Sequence, residues 1–363
     1  MTMRGTAVLG ASAALLVAAC STTPASTSVP SSRPSSSLAV ACPGGTLKGE
    51  GASSQKTVME EVIKGYTMLC PGSTVEYTSS GSGAGIKAFH GAAVDWAGSD
   101  SALRLKEKDG VVEADRARQR CGGNEAWNLP LVFGPIAVGY HLDGVDRLNL
   151  TAETLAGIFD GAITRWNAPE IAASNPGVVL PDERIAVFYR ADESGTTENF
   201  SKYLAEASDG AWPHEPSKAW AGVTGEGREK TAGVAEAVVN TPNSISYMEW
   251  GGALERDIPV AAINGVELTA SNAGLAIEAA EHQGEGHDLR LAVDHTPDNG
   301  GYGAIMATYE VVCSAGGSNS ALLKDFLGYF ASPEVQASLE DLGYAPLPDS
   351  LQQRVAGAVS ELE

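Results

Sequence analysis

Apolar positions after residue 44 alternate between strand-like and helix-like spacing. A short strand ending at Gly51 precedes residues 53–69, in which the apolar positions from Val58 to Tyr66 recur at helical spacing. Further strands are predicted at 74–78, 94–98, 129–140, 185–189 and 306–312. Further helices are predicted after Gly85, at 151–159, at 193–207, and as a pair over 319–342 that breaks near Pro333. This alternation predicts an α/β protein with mostly parallel strand pairing.

Composition narrows the range of partners. The 363 residues include 24 Lys and Arg against 45 Asp and Glu, a formal net charge of −21. Nucleic acids and anionic membrane surfaces are bound through clustered cations. The negative net charge therefore excludes both as partners held by long-range electrostatic attraction. Membrane contact is expected only through a lipid anchor. The length allows one large domain or two ordinary ones.

The N-terminus has the pattern of a targeting segment. Fifteen uncharged residues at 5–19 are too few for a membrane span, which needs about 20, but they suit a signal peptide. Small residues before Cys20 resemble a bacterial lipobox, so residues 1–19 are predicted to be a lipoprotein signal peptide and Cys20 the lipidated residue. Residues 20–41, rich in Ser, Thr and Pro, are predicted to be a tether. An ordinary secretory signal with an incidental cysteine is the alternative. Either makes the protein extracytoplasmic.

Four further cysteines fit disulfides, and four cysteines allow three connectivities. We favour Cys42–Cys70, because a strand near 46–51 followed by a helix to residue 69 doubles back. Cys121–Cys313 then follows by elimination. The chain has no C-x-x-C pair, so we predict no metal site and no cofactor.

Four segments share one design, in which a strand ends, a small polar turn follows and a helix begins. They are Gly51-Ala52-Ser53-Ser54, Gly81-Ser82-Gly83, Gly98-Ser99-Asp100 and the run from Arg190 to Thr196. Helix N-termini offer free N–H groups and a positive dipole end, which suit anions. Helix capping explains each segment alone. Several of them converging could hold one tetrahedral anion.

Together and in order, these segments resemble the PstS-type phosphate-binding proteins, the substrate receptors of the bacterial phosphate ABC importer. The resemblance runs from about residue 46 to the C-terminus. Its motifs lie at 49–53, 77–87, 94–100, 158–167, 190–196 and 342–348. The Arg-x-Asp-x-Ser-Gly-Thr element at 190–196 is the most specific of them.

The resemblance implies a two-lobed periplasmic-binding-protein (venus-flytrap) fold with two hinge crossings. Lobe I would comprise residues 42–140 plus 306–363, and lobe II residues 141–305. A monomer would bind inorganic phosphate between the lobes and deliver it to the permease and ATPase subunits of the importer. The implied phosphate ligands are Ser53, Ser54 (through its N–H), Ser82, Arg190 (oriented by Asp192), Ser194, Gly195 and Thr196. Ser53-Ser54-Gln55 departs from the family, which commonly has Thr and then an aromatic or aliphatic residue.

Asp100 is the remaining implied ligand. A carboxylate repels an anion unless the anion carries a proton that the carboxylate can accept. Phosphate carries such a proton at neutral pH and sulfate does not. We therefore hypothesise that Asp100 selects phosphate over sulfate.

Three alternatives remain. A phosphatase-like enzyme would need a metal cluster or an activated nucleophile, but the six histidines are scattered and no G-x-S-x-G surrounds Ser82 or Ser194. Residues 225–231 also lack the glycine that a P-loop needs before its lysine, and we expect no enzyme activity. A receptor for another oxyanion is disfavoured by Arg190 and Asp100. A surface-adhesion derivative of the fold is not excluded.

Overall fold

The computed structural model of the protein describes residues 40–108 and 110–363. The predicted signal peptide, the lipidation at Cys20 and nearly all of the predicted tether therefore lie outside the described residues. Among the residues that the structure does describe, no helix combines the length and apolar character needed to span a bilayer.

The strands and helices alternate as the sequence predicts, and each predicted strand and helix named above is present. The strands are β1 (Gly45–Gly51), β2 (Ser73–Ser79), β3 (Trp96–Ser99), β4 (Ala126–His141), β5 (Asn149–Leu150), β6 (Ala186–Arg190), β7 (Glu226–Arg228), β8 (Ser244–Glu249), β9 (Ala262–Ile263), β10 (Glu281–His282), β11 (Leu291–Ala292) and β12 (Ile305–Cys313). The α-helices are α1 (Lys56–Leu69), α2 (Ser82–His90), α3 (Glu113–Arg120), α4 (Ala152–Phe159), α5 (Pro169–Ser174), α6 (Gly195–Ala207), α7 (Lys230–Asn240), α8 (Trp250–Leu254), α9 (Ala270–Glu278), α10 (Ser320–Phe330), α11 (Pro333–Ala337) and α12 (Asp349–Ser360). A 3₁₀ turn covers Glu340–Leu342.

Eight strands form one sheet in the order β2-β1-β3-β12-β4-β8-β6-β7. Pairing is parallel on either side, where β1 joins β2 and β3, and β6 joins β7 and β8. The centre is antiparallel, because β12 pairs with both β3 and β4, and β4 pairs with β8. The prediction of mostly parallel pairing is therefore wrong at the centre. Long strands buried on both faces have the same apolar pattern in either orientation.

Strand β4 belongs to both halves of this sheet. Its first part, to Pro135, pairs with β12, and from Ile136 onward it pairs with β8. A register shift between Thr308 and Tyr309 in β12 lies opposite the stretch that begins at Pro130. Proline has no N–H to donate to a ladder, so a bulge is the usual accommodation. A single continuous strand thus joins the half containing β1 to β3 with the half containing β6 to β8.

Different aromatic cores cover the two halves. In the first half, Trp96 is fully buried, stacks on Tyr77 and contacts Phe326 of α10. A Cβ on Gly49 would lie 2.2 Å from the Trp96 ring, so only glycine fits there. In the second half, Tyr247 of β8 stacks on Phe200 of α6, with ring centroids 4.5 Å apart. Such aromatic pairs add about 0.5–1.5 kcal/mol beyond their burial.

Both predicted disulfides are confirmed. Cys42 is bonded to Cys70, which links the start of β1 to the end of α1. Cys121 is bonded to Cys313, which links the end of α3 to the end of β12. Each bond fixes a loop that the unfolded chain would otherwise leave open, which contributes typically about 2–4 kcal/mol.

Candidate functional site

Main-chain hydrogen bonds connect the three small polar turns that follow β1, β2 and β3. The carbonyl of Gly51 accepts from the N–H groups of Ser80 (3.0 Å) and Gly81 (2.8 Å), and the N–H of Ala52 donates to the carbonyl of Gly98 (2.8 Å). Gly51 has a φ of +152°, and a Cβ there would lie 2.0 Å from that same carbonyl oxygen. Glycine is required at Gly51, and the three loops are held as one unit.

Asp100 follows β3 and is only 3% exposed. Its Oδ1 accepts hydrogen bonds from Ser54 Oγ (2.5 Å) and Thr308 Oγ1 (2.9 Å). Its Oδ2 accepts longer bonds from Thr196 Oγ1 (3.2 Å) and Ser82 Oγ (3.4 Å). We call these five residues the aspartate cluster. Its hydroxyls come from four different segments of the chain.

Burial raises the pKa of Asp100 above its ordinary value, because it removes water from the charged form. The hydroxyl donors Ser54, Thr308 and Thr196, together with the positive charge of Arg190, oppose that effect only in part. Asp100 is therefore a carboxyl group whose protonation is easier than usual, and its oxygens accept hydrogen bonds from hydroxyl groups.

Arg190 ends β6 and is 2% exposed. Its Nε and NH2 donate to the two carboxylate oxygens of Asp192, at 2.7 and 2.5 Å. Asp192 also accepts from the N–H of Lys230 at 2.9 Å. Burial acts to raise the pKa of Asp192, but the hydrogen bonds and charge of Arg190 outweigh it, so this pKa is lowered. The pair remains ionised and fixes the guanidinium plane.

Thr231, in the first turn of α7, extends this pair towards the first half of the sheet. Its Oγ1 lies 3.5 Å from Arg190 NH1 and 3.2 Å from Ser53 Oγ, and its N–H donates to the same Ser53 oxygen at 3.3 Å. We call Arg190, Asp192, Thr231 and Ser53 the arginine cluster. Residues 225–231 lack the glycine of a P-loop, and Thr231 was not among the predicted site residues. Because β7 is only three residues long, the helical spacing of α7 was the only signal in the sequence near Thr231.

The start of α6 faces the aspartate cluster. A Cβ on Gly195 would lie 2.6 Å from both Asp100 Cβ and Ser82 Oγ. Ser194 caps the helix by accepting from the N–H of Thr197 at 3.2 Å. The N–H of Ser194 itself donates to the carbonyl of Lys218 at 2.9 Å, so only its hydroxyl proton can serve a ligand. The N–H groups of Gly195 and Thr196 belong to the first turn and have no intrahelical acceptor.

All the predicted site residues lie in or next to these two clusters. Asp192 is slightly exposed and the others are buried: Ser53, Ser54, Ser82, Asp100, Arg190, Ser194, Gly195 and Thr196. The unusual Gln55 is fully buried, and its Nε2 donates to Tyr77 Oη at 3.0 Å. Asn199 was not predicted from the sequence as a site residue. It donates from Nδ2 to the carbonyls of Asp100 (2.6 Å) and Gly195 (2.9 Å).

Two fully buried glutamates stand behind the aspartate cluster. Burial raises the pKa of Glu249 and that of Glu310 to about 8. Glu249 accepts from the N–H groups of Gly251 and Gly252 at the start of α8. Neither carboxylate oxygen of Glu310 has a hydrogen-bond partner in the part of the chain that the structure describes. Both groups therefore favour the neutral form at neutral pH.

The chemistry available here suits binding. The two clusters combine hydroxyl and N–H donors, one guanidinium and one protonatable carboxyl group. Among the described residues, no histidine hydrogen-bonds to Ser82 or Ser194, as an activated serine nucleophile would require. The converging metal-ligating side chains in the same residues are Cys42, Cys70 and Asp325, and the two sulfurs are bonded to each other.

Comparison with known proteins gives consistent results. A family model described as a PBP superfamily domain matches residues 36–334. Phosphate-binding protein PstS 3 of Mycobacterium tuberculosis is 41% identical over 97% of this chain and 96% of its own. PstS 3 of Mycobacterium leprae is 40% identical over 90% of each chain.

Solved structures extend the comparison to the fold. The phosphate-bound PfluDING protein, described as a high affinity periplasmic phosphate-binding protein, has a TM-score of 0.69 at 20% identity and covers 86% of this chain and 93% of its own. A phosphate-bound substrate-binding protein from Clostridium perfringens has a TM-score of 0.59 at 17% identity, covering 84% and 100%. The predicted α/β binding-protein fold is confirmed.

Proposed function

Because the chain belongs to the PstS family of phosphate-binding proteins, we propose that it captures inorganic phosphate between its two clusters and delivers it to an ABC phosphate importer. The observation that carries this proposal is the placement of one buried guanidinium and one buried carboxyl group, Arg190 and Asp100, among hydroxyl groups. A dehydrated anion needs donors throughout its surface, and a protonated anion needs one acceptor as well.

Arg190 supplies the cation. Asp192 occupies its Nε and NH2, which leaves NH1 directed to Thr231 and free to donate to an anion that displaces this 3.5 Å contact. Neutral donors complete the shell: the hydroxyls of Ser53, Ser82 and Ser194, and the N–H groups of Ser54, Gly195 and Thr196. One positive charge is then enough. Salt screens the repulsion between the anion and distant surface carboxylates, whereas the buried contacts to the anion are screened much less, so the net negative charge of the chain does not prevent binding.

Asp100 supplies the acceptor. An ionised Asp100 accepts a hydrogen bond from a P–OH group of monobasic or dibasic phosphate, whereas sulfate offers no such donor and meets a like charge. The hydroxyl groups of Ser54, Thr308 and Thr196 already orient the carboxyl oxygens, so the acceptor is fixed before the anion arrives. The longer Ser82 bond of 3.4 Å would be exchanged for a bond to phosphate. In this proposal Asp100 contributes more to selectivity than to affinity.

The proposed lobes are residues 42–140 plus 306–363 and residues 141–305. Contacts that join them across the site include Ser53 with Thr231, Thr196 with Asp100, Asn199 with the carbonyl of Asp100, and the N–H of Gly83 with the carbonyl of Glu193 at 3.0 Å. These contacts fit a closed form, and we propose that phosphate closes the lobes, that the importer's permease recognises the closed monomer, and that lipidation at Cys20 holds the receptor on the outer face of the cell membrane.

The test is isothermal titration of phosphate-stripped protein with phosphate, arsenate and sulfate. Phosphate and arsenate should each bind once per chain, because both carry a proton at neutral pH. Sulfate should bind at least about a hundredfold more weakly, since an unpaired buried acceptor costs about 1–3 kcal/mol before the like charge is counted. Equal binding of sulfate and phosphate would overturn the proposal. Turnover of a phosphomonoester that Ser194→Ala abolishes would favour an enzyme instead.

A further inference from the structure

A second cavity of about 550 Å³ lies beside the two clusters. Its walls come from α2 and the residue after it, from Glu193, from residues 217–219, and from five residues that follow β3: Arg104, Lys108, Val111, Glu113 and Arg116. Gly83 and Glu193 in its lining are chain neighbours of Ser82 and Ser194, so the cavity adjoins the proposed phosphate site. Because residues 193 and 217–219 belong to proposed lobe II and the rest to lobe I, the cavity spans both lobes. We call it the basic groove.

The lining of the basic groove is positively charged, whereas the chain as a whole has a negative net charge. Its lining includes the cations Lys87, Arg104, Lys108, Arg116 and Lys218 and the carboxylates Glu113 and Glu193. Five positive charges therefore face two negative ones, a formal balance of +3, in a chain whose net charge is −21. Cations concentrated on cavity walls attract anions, because the low-dielectric walls focus the field.

The carboxylates do not neutralise this charge. Glu113 lies between Arg104 (3.1 Å) and Lys218 (3.3 Å). The buried Glu198, which pairs with Lys202 at 3.9 Å outside the lining, is a second carboxylate whose charge interacts with these two cations. Glu193 pairs with Lys87 at 2.5 Å. The side chain of Lys218 is only 7% exposed, which makes its positive charge a fixed part of the wall.

Two cations of the lining have no carboxylate partner among residues 40–108 and 110–363. Lys108 donates to the hydroxyl of Ser217, a neutral acceptor across the groove, at 2.9 Å. Arg116 has no ion pair with any residue in the described ranges. Both are exposed and free to reorient towards a ligand.

We propose that the basic groove is a second anion-binding site, which takes phosphoryl anions and bridges the two lobes. The groove is too large for one tetrahedral ion, and its cations come from separate segments, so a short linear polyphosphate fits it better than orthophosphate does. Recognition here is by charge, without the enclosing neutral donors of the Arg190 and Asp100 site. The proposal does not depend on which ion that first site binds.

The experiment titrates sodium tripolyphosphate into protein saturated with orthophosphate, in metal-free buffer, by isothermal calorimetry. The wild type should show one saturable event that weakens as salt rises from 50 to 200 mM. The double variant Lys108→Gln/Arg116→Gln should weaken it about tenfold, since two exposed charge contacts contribute up to about 1 kcal/mol each. The matched control, Lys106→Gln/Arg118→Gln, removes the same charges from the same segments outside the lining and should bind as the wild type does.

A separate titration with orthophosphate tests whether free phosphate, as well as a linear polyphosphate, occupies the basic groove. A second, weaker orthophosphate event that only the Lys108/Arg116 double variant loses would support the site and identify free phosphate as an occupant. Absence of saturable binding by both anions, or equal binding by the double variant and its control, would overturn the proposal. In the orthophosphate arm, which starts from phosphate-stripped protein, the first binding event reports on the proposed phosphate site separately from the groove.

Discussion

The arginine and aspartate clusters treat charge in opposite ways. Arg190 is matched by Asp192 through two hydrogen bonds, and the pKa of Asp192 is lowered despite its burial. Asp100 faces hydroxyl groups instead, and its pKa is raised by burial. The first cluster keeps its charges at any ordinary pH, whereas the second can gain a proton. In the proposed function, the arginine cluster therefore attracts the anion, and the aspartate cluster discriminates between anions with and without a proton.

Removing the cation should have the largest effect. Arg190→Gln should weaken phosphate binding by about a hundredfold or more, because losing one member of a buried charged contact costs about 2–5 kcal/mol. Titration calorimetry measures the loss. Arg228→Gln, which alters an arginine that lies over Phe188 and pairs with Glu226, is the matched control.

The same substitution leaves Asp192 unpaired, so the double variant Arg190→Gln/Asp192→Asn separates binding from folding. It should fold more stably than the single variant and bind phosphate as weakly. Retention of wild-type affinity in the double variant would refute the assignment of Arg190 as the cationic ligand.

Removing the carboxylate should change selectivity more than affinity. In Asp100→Asn, the ratio of phosphate to sulfate affinity should fall about tenfold to a hundredfold, because the like charge and the unpaired acceptor are gone. Competition titrations of both anions measure the ratio, with the exposed Asp115→Asn as control. Unchanged discrimination would sink the hypothesis that Asp100 selects by proton.

The buried Glu310 should make the free energy of unfolding depend on pH. Its pKa is raised from 4.5 to about 8, so the folded state holds a proton that the unfolded chain releases above pH 4.5. This contribution is complete below pH 4.5 and is lost as pH rises through 8. Glu310→Gln cannot release that proton, so its Tm relative to wild type should rise by a few degrees between pH 5 and pH 9.

Thermal unfolding followed by circular dichroism at those two pH values provides the measurement. The exposed Glu76→Gln should show a Tm difference that does not change with pH. A constant difference for Glu310→Gln as well would mean that Glu310 is ionised in the folded protein.

The smallest expected effect concerns Thr308. Thr308→Val removes one hydrogen bond to ionised Asp100, which raises the pKa of this carboxyl further. Sulfate binding, which requires a protonated Asp100, should then begin about one pH unit higher than in the wild type, as a lost bond to a charged group is equivalent to about 1.5 kcal/mol. Sulfate titrations across pH 4–7 measure the onset. An unmoved onset would assign Thr308 a packing role only.

The sequence predicts the strand–helix order well because glycines and small polar residues separate its apolar runs. It does not predict the orientation of β4 and β12, since strands buried on both faces carry no alternation to indicate their neighbours. Both disulfides could be predicted from the sequence. A strand followed by a helix of similar length brings Cys42 close to Cys70, and Cys121 and Cys313 are then the remaining pair.

The site was predictable where a ligand follows a recognisable turn, as at Ser82 or Asp100. Thr231 was missed because β7 has only three residues and gives no strand pattern. Thr308 was missed for another reason: it lies inside a buried strand, where a threonine is indistinguishable from core packing. Its partner, Asp100, is 208 positions away in the chain, so only the folded structure reveals the contact.

The three loops held by the carbonyls of Gly51 and Gly98 have a consequence for how this protein can change over generations. Three of the links between them are made by main-chain atoms, which every residue possesses, and Ser54 and Ser82 add side-chain bonds to Asp100. The main-chain links remain when a side chain such as that of Ser53 is exchanged, so a new donor inherits a frame of loops that are already held together. Ligand preference can drift on such a frame, whereas a replacement of Gly51 would disturb all three loops at once.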